Sequence, residues 1–358
     1  MDGGHGLMRA SHFLREYEDP EQAKQEILST VGSYDPNDEA QAKLIDRVYS
    51  IVQKNGVVDR FLPVVSSKLQ GEYNDAAIKT IAEKIVSSDR LNIQQKNDFL
   101  DLLQANKCIN TRTFLTDGHH SISDIFNGPL VEQMFLEFMD FGAGQQRAGK
   151  GEHALAILST DISQKGTGDI DVMGKAVELK VASSAKVGAG SGRMGEGGVS
   201  KERVLAVLNK FPEFQQPLEG YFGGGKKTMN LKLFVDMCNQ ITFGQGRRQA
   251  VGKAIFGQVF DNMADPIVQA FDNPNANPDT VLDAYIAQNF EWYKANPDMG
   301  GKWEIMCSLA IGAASMITVS SGASLNQLRK SGALYSGIPS LIPSQAPEVF
   351  FQPNPTRK

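Results

Sequence analysis

A mixed α/β (α+β) fold is predicted for this chain, with a small β-sheet flanked by helices and a helical region before it. Apolar residues recur every three or four positions through residues 1–107, as in a helical bundle. Residues 168–182 contain two short alternating runs around a turn signal, which predict a β-hairpin. Residues 303–320 contain two short apolar runs, which predict buried strands.

Four helices with one apolar face each are predicted in the N-terminal region. They are Pro20–Val31, Asp38–Gln53, Asn74–Val86 and Ile93–Leu103. We therefore predict a helical region at 1–107 and a second domain at 108–358. A helical insertion at 215–300 separates the hairpin from the final strands in this prediction.

Charge and cysteine content limit the classes of function. The formal net charge is -5, so contacts with nucleic acid must come from a local basic patch rather than from the whole surface. The three cysteines stand far apart without a CxxC pair, which favours a reducing, cytoplasmic compartment. No apolar run reaches the length of about 18 residues that a membrane span needs, so we expect no membrane contact.

The segment from Gly168 to Lys180 carries the residues of chemical interest. If Met173-Gly174 is a two-residue turn, the flanking strands fall into a fixed register. Because side chains alternate between the two faces of a strand, four charged residues of the segment fall on one face. Those residues are Asp169, Asp171, Glu178 and Lys180. The predicted cross-strand pairs are Asp169 with Glu178, Ile170 with Val177, Asp171 with Ala176, and Val172 with Lys175.

Carboxylates crowded on one strand face repel each other unless a cation lies between them. Oxygen ligands suit Mg²⁺ or Mn²⁺, and such an ion polarises a phosphate and activates a water. The ammonium of Lys180 is placed to stabilise charge on a phosphate. The same pattern also describes a half-exposed hairpin whose charges are simply solvated, and the sequence leaves both interpretations open.

The arrangement resembles the PD-(D/E)XK nuclease superfamily, which implies a restriction-endonuclease-like mixed sheet and a metal-dependent active site. The resemblance places the family's E-x-K on Glu178-Leu179-Lys180 and its acid on Asp169. Because Asp169 follows Gly168 rather than Pro, Asp171 stays open as the alternative metal ligand. Many members carry a further Glu after Gly on a preceding helix, and Gly151-Glu152 matches it. The resemblance therefore implies Glu152, Asp169, Glu178 and Lys180 as the catalytic set.

Basic residues outside the hairpin are candidate DNA contacts. Arg193 lies in a Gly-rich segment, Lys186–Ser200, that is predicted to be a flexible loop, and Lys201 follows it. Arg247 and Arg248 form a second basic spot. Glycine lets a backbone approach phosphate closely, and arginine binds phosphate through two parallel hydrogen bonds. A disordered surface loop explains the Gly-rich segment equally well, and a basic spot such as Arg247-Arg248 is more often simply a solvated face, so the assignment stays an expectation.

The sequence thus predicts a Mg²⁺- or Mn²⁺-dependent DNA nuclease in the cytoplasm. The segment is also similar to poorly characterised proteins of tailed bacteriophages, for which the compartment is the host cytoplasm or the virion. Two alternatives stay open. One is a phage structural or assembly protein, in a homo-oligomer or a particle, that retains a nuclease fold. The other is a DNA-binding module without cleavage, whose binding is sensitive to salt.

Overall fold

The computed structural model describes residues 38–54, 81–139, 151–163, 168–182, 192–194, 201–226, 228–295, 302–342 and 349–353. The chain divides into two compact units. The first comprises Met1–Leu115 and Ile122–Val177, and the second comprises Thr116–Ser121 and Glu178–Lys358.

Helices form the described N-terminal part of the first unit. Helix α1 (Glu39–Lys54) packs against helix α2 (Ile93–Gln104), and Arg47 of α1 donates to the Asn97 Oδ1 of α2 at 2.8 Å. Asn92 caps the start of α2 by accepting a hydrogen bond from the backbone of Gln95. Two predicted helices are thus confirmed, and residues 81–87 confirm the described part of a third. The predicted helix at Pro20–Val31 lies outside the described residues.

The remainder of the first unit combines short helices with strands. They are α3 (Ile122–Ile125), α4 (Pro129–Phe138), α5 (Glu152–Leu158), β2 (Ile162–Ser163), β3 (Ile170–Val172) and the first three residues of β4 (Lys175–Ala182). Helix α5 has the sequence of a short amphipathic helix, but every residue in it is buried. The apolar side chains fill the core, and the two polar residues at its start are enclosed with them.

Strands β1 (Gly118–Ser121), β7 (Ile305–Ala310) and β8 (Ser315–Val319) belong to the second unit. β8 pairs antiparallel with both β7 and β1, and the full strand order of the six-stranded sheet is β1-β8-β7-β4-β3-β2. All residues of β7 and β8 are buried, which confirms the predicted buried strands. His119 and His120 lie in β1.

The second unit contains seven described α-helices, and β7 and β8 lie between the last two in the sequence. They are α6 (Lys201–Leu208), α7 (Gln215–Gly223), α8 (Leu231–Gln240), α9 (Arg247–Phe260), α10 (Asp265–Asp272), α11 (Pro278–Ala295) and α12 (Gly322–Ser331). The predicted helical character of residues 215–300 is confirmed for the described residues, apart from the short strand β6 (Met229–Asn230).

Two smaller sheets complete the second unit. β6 pairs with β10 (Ser340–Ile342). β11 (Val349–Pro353) pairs with both β5 (Gly192–Met194) and β9 (Leu334–Ser336). No helix among the described residues is both long and apolar enough to cross a membrane.

All three cysteines, Cys108, Cys238 and Cys307, are buried free thiols. Burial raises the pKa of Cys108 and of Cys307 to about 12, so both thiols stay protonated at pH 8. Only the thiolate is nucleophilic. We expect Ellman's reagent at pH 8 to react with the native protein at least about 100-fold more slowly than with the unfolded chain. Rapid reaction of one or more native thiols would contradict this placement.

Candidate functional site

The β3–β4 hairpin has the predicted register over three pairs: Ile170 with Val177, Asp171 with Ala176, and Val172 with Lys175. The turn residues Met173 and Gly174 both have positive φ, at 53° and 86°. That conformation is the type I′ turn that two-residue hairpins favour. The sequence therefore predicted the turn and its three neighbouring pairs correctly.

Asp171 takes part in the turn. Its Oδ1 accepts a hydrogen bond from the backbone N–H of Gly174 at 2.9 Å. An aspartate at this place stabilises a turn by satisfying a backbone donor. The structure thus gives Asp171 a local structural role, which weakens its candidacy as the alternative metal ligand.

Asp169 lies just before the paired residues, because β3 begins at Ile170. Gly168 has a φ of 75°, and the backbone N–H of Asp169 donates to the Val177 carbonyl at 3.1 Å. In a regular antiparallel ladder, the Val177 carbonyl accepts a hydrogen bond from the backbone N–H of its pairing partner, which is Ile170. The fourth predicted pair, Asp169 with Glu178, is therefore absent from the described register. The positive φ at Gly168 alters the backbone where Asp169 enters the strand.

Glu152 is the first residue of α5, as predicted, and it is 5% exposed. His153 beside it is 4% exposed. The helix starts after Gly151, whose φ of 85° lies in the left-handed region that favours glycine. Glu152 and Asp169 belong to the first unit, and Glu178 and Lys180 belong to the second.

Glu178 and Lys180 are two residues apart on β4, so their side chains project from one face. Glu178 is 4% exposed, and its Oε1 forms an ion pair with the Nζ of Lys180. Tyr293, in the last turn of α11, donates its hydroxyl to the same oxygen at 2.6 Å. We call these three side chains the Glu178 cluster. The burial of Glu178 excludes the interpretation in which its charge is merely solvated on an open strand face.

The two oxygens of Glu178 differ in their surroundings. Oε1 accepts from both Lys180 and Tyr293, whereas no hydrogen bond from a described residue reaches Oε2. Burial raises the pKa of Tyr293, so its hydroxyl keeps its proton near neutral pH and donates a hydrogen bond to the carboxylate. One oxygen is therefore held by two donors, and the other is left for a further partner.

Aromatic side chains line the same part of the second unit. The Trp303 ring lies 5.5 Å from the ring of Tyr293 and 5.2 Å from that of Phe290, both approximately edge to face. Trp303 is 1% exposed, and its Nε1 has no hydrogen-bond acceptor among the described residues. We call Phe290 and Trp303 the aromatic wall. Buried aromatic rings of this kind lower the local dielectric constant, which strengthens the interaction between the Glu178 carboxylate and its two donors.

Tyr293 was not predicted from the sequence. It is separated from Glu178 by 115 positions, and it lies within an ordinary helical segment. A buried tyrosine usually finds a partner for its hydroxyl, but the sequence does not indicate which one.

Comparison with models of protein families, with curated proteins and with solved structures found no match for this chain. Among the described residues, no group of three or more His, Cys, Asp or Glu side chains is arranged to hold a metal ion. Of the residues predicted for the site, Glu178 and Lys180 are the pair that a described contact joins.

Arg248 is 5% exposed, which does not fit its predicted role as a DNA contact. Its guanidinium donates to the Phe271 carbonyl at 2.6 Å, to the Cys238 carbonyl at 3.0 Å and to the Asn239 side chain at 2.8 Å. These carbonyls lie in the last turns of α10 and α8, where a cation is favourable. Arg248 also precedes Val251 and Ile255 on one helical stripe, a spacing that predicts burial. We therefore remove it from the candidate DNA interface.

Arg247 is also engaged, although it lies partly at the surface. Its Nε and Nη2 donate to the two carboxylate oxygens of Glu213, both at 2.9 Å. The hydrogen bond from Arg247 lowers the pKa of Glu213. A phosphate would have to compete with this bidentate pair for the guanidinium.

Arg193 lies in β5, and its backbone pairs with Phe350 of β11. Residues 192–194 are thus a strand, whereas the sequence predicts a flexible loop from Lys186 to Ser200. The other residues of that predicted loop lie outside the described residues. Lys201 begins α6. Both residues remain predicted DNA contacts.

The adjacent arginines provide a matched test of these roles. Arg248→Met leaves two carbonyls and one amide oxygen without this donor in the core, so we expect a loss of about 2 to 4 kcal/mol in the free energy of unfolding. Arg247→Met removes a solvent-screened pair at the surface, and we expect a clearly smaller loss. Denaturant unfolding of both variants measures the difference. Equal losses would contradict the structural role of Arg248.

Proposed function

We propose that this protein is a metal-dependent nuclease that hydrolyses phosphodiester bonds of DNA, with the Glu178 cluster at its active site. The observation that carries the proposal is the ion pair between the buried Glu178 and the partly exposed Lys180 on one strand face. It supports the resemblance to PD-(D/E)XK nucleases, whose E-x-K motif needs an acid and an amine together. The restriction-endonuclease-like arrangement of the sheet is part of the same proposal.

Glu178 fits the requirements of a ligand to Mg²⁺ or Mn²⁺. Both ions prefer carboxylate oxygens, and Oε2 receives no hydrogen bond from the described residues. Mg²⁺ is usually held by one or two carboxylates together with waters and substrate phosphates, so a cage of three protein ligands is not required. When bound, such an ion polarises a phosphate and makes a water more acidic. Asp169 and Glu152 are assigned as further ligands on the order of the motifs in the sequence.

Lys180 supplies the positive group of the proposed site. Its side chain is 27% exposed, compared with 5% for that of Glu178, so its ammonium lies at the more open side of the pair. A lysine ammonium has three donors, which allows it to keep the carboxylate and also hold a phosphate oxygen. In this position it stabilises the negative charge that develops during hydrolysis.

Cleavage assays with the full chain test the proposal. Supercoiled plasmid and linear duplex DNA are incubated with Mg²⁺, with Mn²⁺ or with EDTA. We expect cleavage by the wild type with either metal and none with EDTA. Glu178→Gln keeps the size of the side chain but removes its charge, and Lys180→Met removes the amine. We expect each to lower the rate by about 100-fold or more.

Matched controls are Glu219→Gln and Lys210→Met, which make the same changes at exposed positions of the second unit. Because Lys180→Met leaves a buried carboxylate without its cation, it costs about 3 to 5 kcal/mol in stability. Thermal unfolding must therefore show that each variant is folded at the assay temperature, and Lys180→Arg provides a variant that keeps the charge.

Full activity in folded Glu178→Gln or Lys180→Met would refute the proposed active site. Salt-sensitive DNA binding without cleavage by the wild type would favour the non-cleaving DNA-binding module. A stable multimer without metal-dependent cleavage would favour the assembly protein.

A further inference from the structure

Tyr293 is the member of the Glu178 cluster that the resemblance to nucleases does not assign. It lies on α11, is 7% exposed, and donates its hydroxyl to the Oε1 of Glu178 at 2.6 Å. Its ring packs edge to face against Trp303, with 5.5 Å between the ring centroids. The phenol is thus enclosed on its apolar side and has its polar end at the carboxylate.

The two donors to Oε1 differ in stiffness. Lys180 reaches the oxygen on a long, flexible side chain that is partly exposed. Tyr293 has only two side-chain torsions, and the buried aromatic contact restricts its ring. The tyrosine is therefore the stiffer of the two donors, and we assign to it the larger part in fixing where Oε1 lies.

Fixing Oε1 also fixes the second oxygen, because a carboxylate is planar and rigid. The final torsion of a glutamate side chain is broad, so an unrestrained carboxylate samples many orientations. Carboxylates that bind metal ions are commonly held by an outer hydrogen bond of this kind, and its loss typically weakens metal binding by about 10- to 100-fold.

We propose that Tyr293 is a positioning residue, which holds Glu178 by Oε1 and thereby presents Oε2 to a divalent cation. This inference rests on the proposed function, because it assumes that Glu178 is a metal ligand. Phenylalanine would fill nearly the same volume, so the feature that matters is the hydroxyl alone.

Isothermal titration of Mn²⁺ into the full chain tests the inference without the need for catalysis. We expect Tyr293→Phe to raise the dissociation constant about tenfold or more and Glu178→Gln to abolish binding at this site. Tyr285→Phe is the matched control, because it changes a second buried tyrosine of the same helix. We expect its dissociation constant to equal that of the wild type.

Cleavage rates provide a second readout. If Tyr293 acts through the metal ligand, raising the Mn²⁺ concentration restores the cleavage rate of Tyr293→Phe but not that of Glu178→Gln. A loss of activity that Mn²⁺ does not restore, with unchanged Mn²⁺ affinity, would assign Tyr293 to packing only and overturn the inference.

The outcomes separate the two proposals. If the wild type binds no Mn²⁺, or if Glu178→Gln binds it as well as the wild type does, the proposed metal site fails and the role of Tyr293 fails with it. If Glu178→Gln loses binding while folded Tyr293→Phe binds like the wild type, only the role of Tyr293 fails.

Tryptophan fluorescence covers the case in which Tyr293→Phe does not fold. The chain has two tryptophans, so Trp292→Phe leaves Trp303 as the only one. Since Trp303 packs on Tyr293, we expect its emission to change on titration with Mn²⁺, with the midpoint found by calorimetry. EDTA should reverse the change, and adding Glu178→Gln should abolish it. Emission that does not respond to bound Mn²⁺ would overturn the inference.

Discussion

The buried carboxylate of Glu178 sets the main energetic requirement of the candidate site. Moving an ionised carboxylate out of water costs several kcal/mol unless charge and hydrogen bonds compensate for it. Glu178 has both, from Lys180 on its own strand and from Tyr293 on α11. Apolar residues of similar volume would satisfy the packing at lower cost, so a purely structural need does not readily explain this choice of residues.

The asymmetry of the carboxylate connects the fold with the proposed chemistry. Both donors converge on Oε1, although a carboxylate has two oxygens able to accept hydrogen bonds. A group buried only for stability would be expected to use both oxygens. An oxygen without a donor among the described residues is instead what a hard cation requires. The aromatic wall formed with Phe290 and Trp303 keeps the local dielectric low, so that charges in the cluster act strongly on one another.

Local patterns in the sequence were sufficient to predict the turn and strands of the hairpin, but not the residues that pack around it. Met173-Gly174 predicted the turn, and alternation predicted three of the four pairs, because both depend on adjacent residues. The fourth pair was wrong, since the positive φ of Gly168 alters the backbone before Ile170. Tyr293 could not be predicted, because its contact with Glu178 depends on how a distant helix packs.

The basic residues show a related limit of sequence-based prediction, because adjacency in the sequence does not reveal which side chain is exposed. Arg247 and Arg248 are neighbours in the sequence. Arg247 nevertheless pairs with Glu213 at the surface, whereas Arg248 donates hydrogen bonds to backbone carbonyls in the core. Successive residues of a helix point about 100° apart, so a basic pair need not form a single patch. The apolar spacing of Val251 and Ile255 does indicate the buried stripe, and weighing it would have corrected the prediction for Arg248.

Metal binding by Glu178 is tested most sharply by a crystal structure of the full chain grown with Mn²⁺, with anomalous diffraction recorded to locate the ion. We expect an anomalous peak at a coordination distance of about 2.2 Å from the Oε2 of Glu178, with Oε1 still bonded to Tyr293 and Lys180. Mn²⁺ located only elsewhere, or a protein side chain bonded to Oε2 in its place, would show that Glu178 is not a metal ligand.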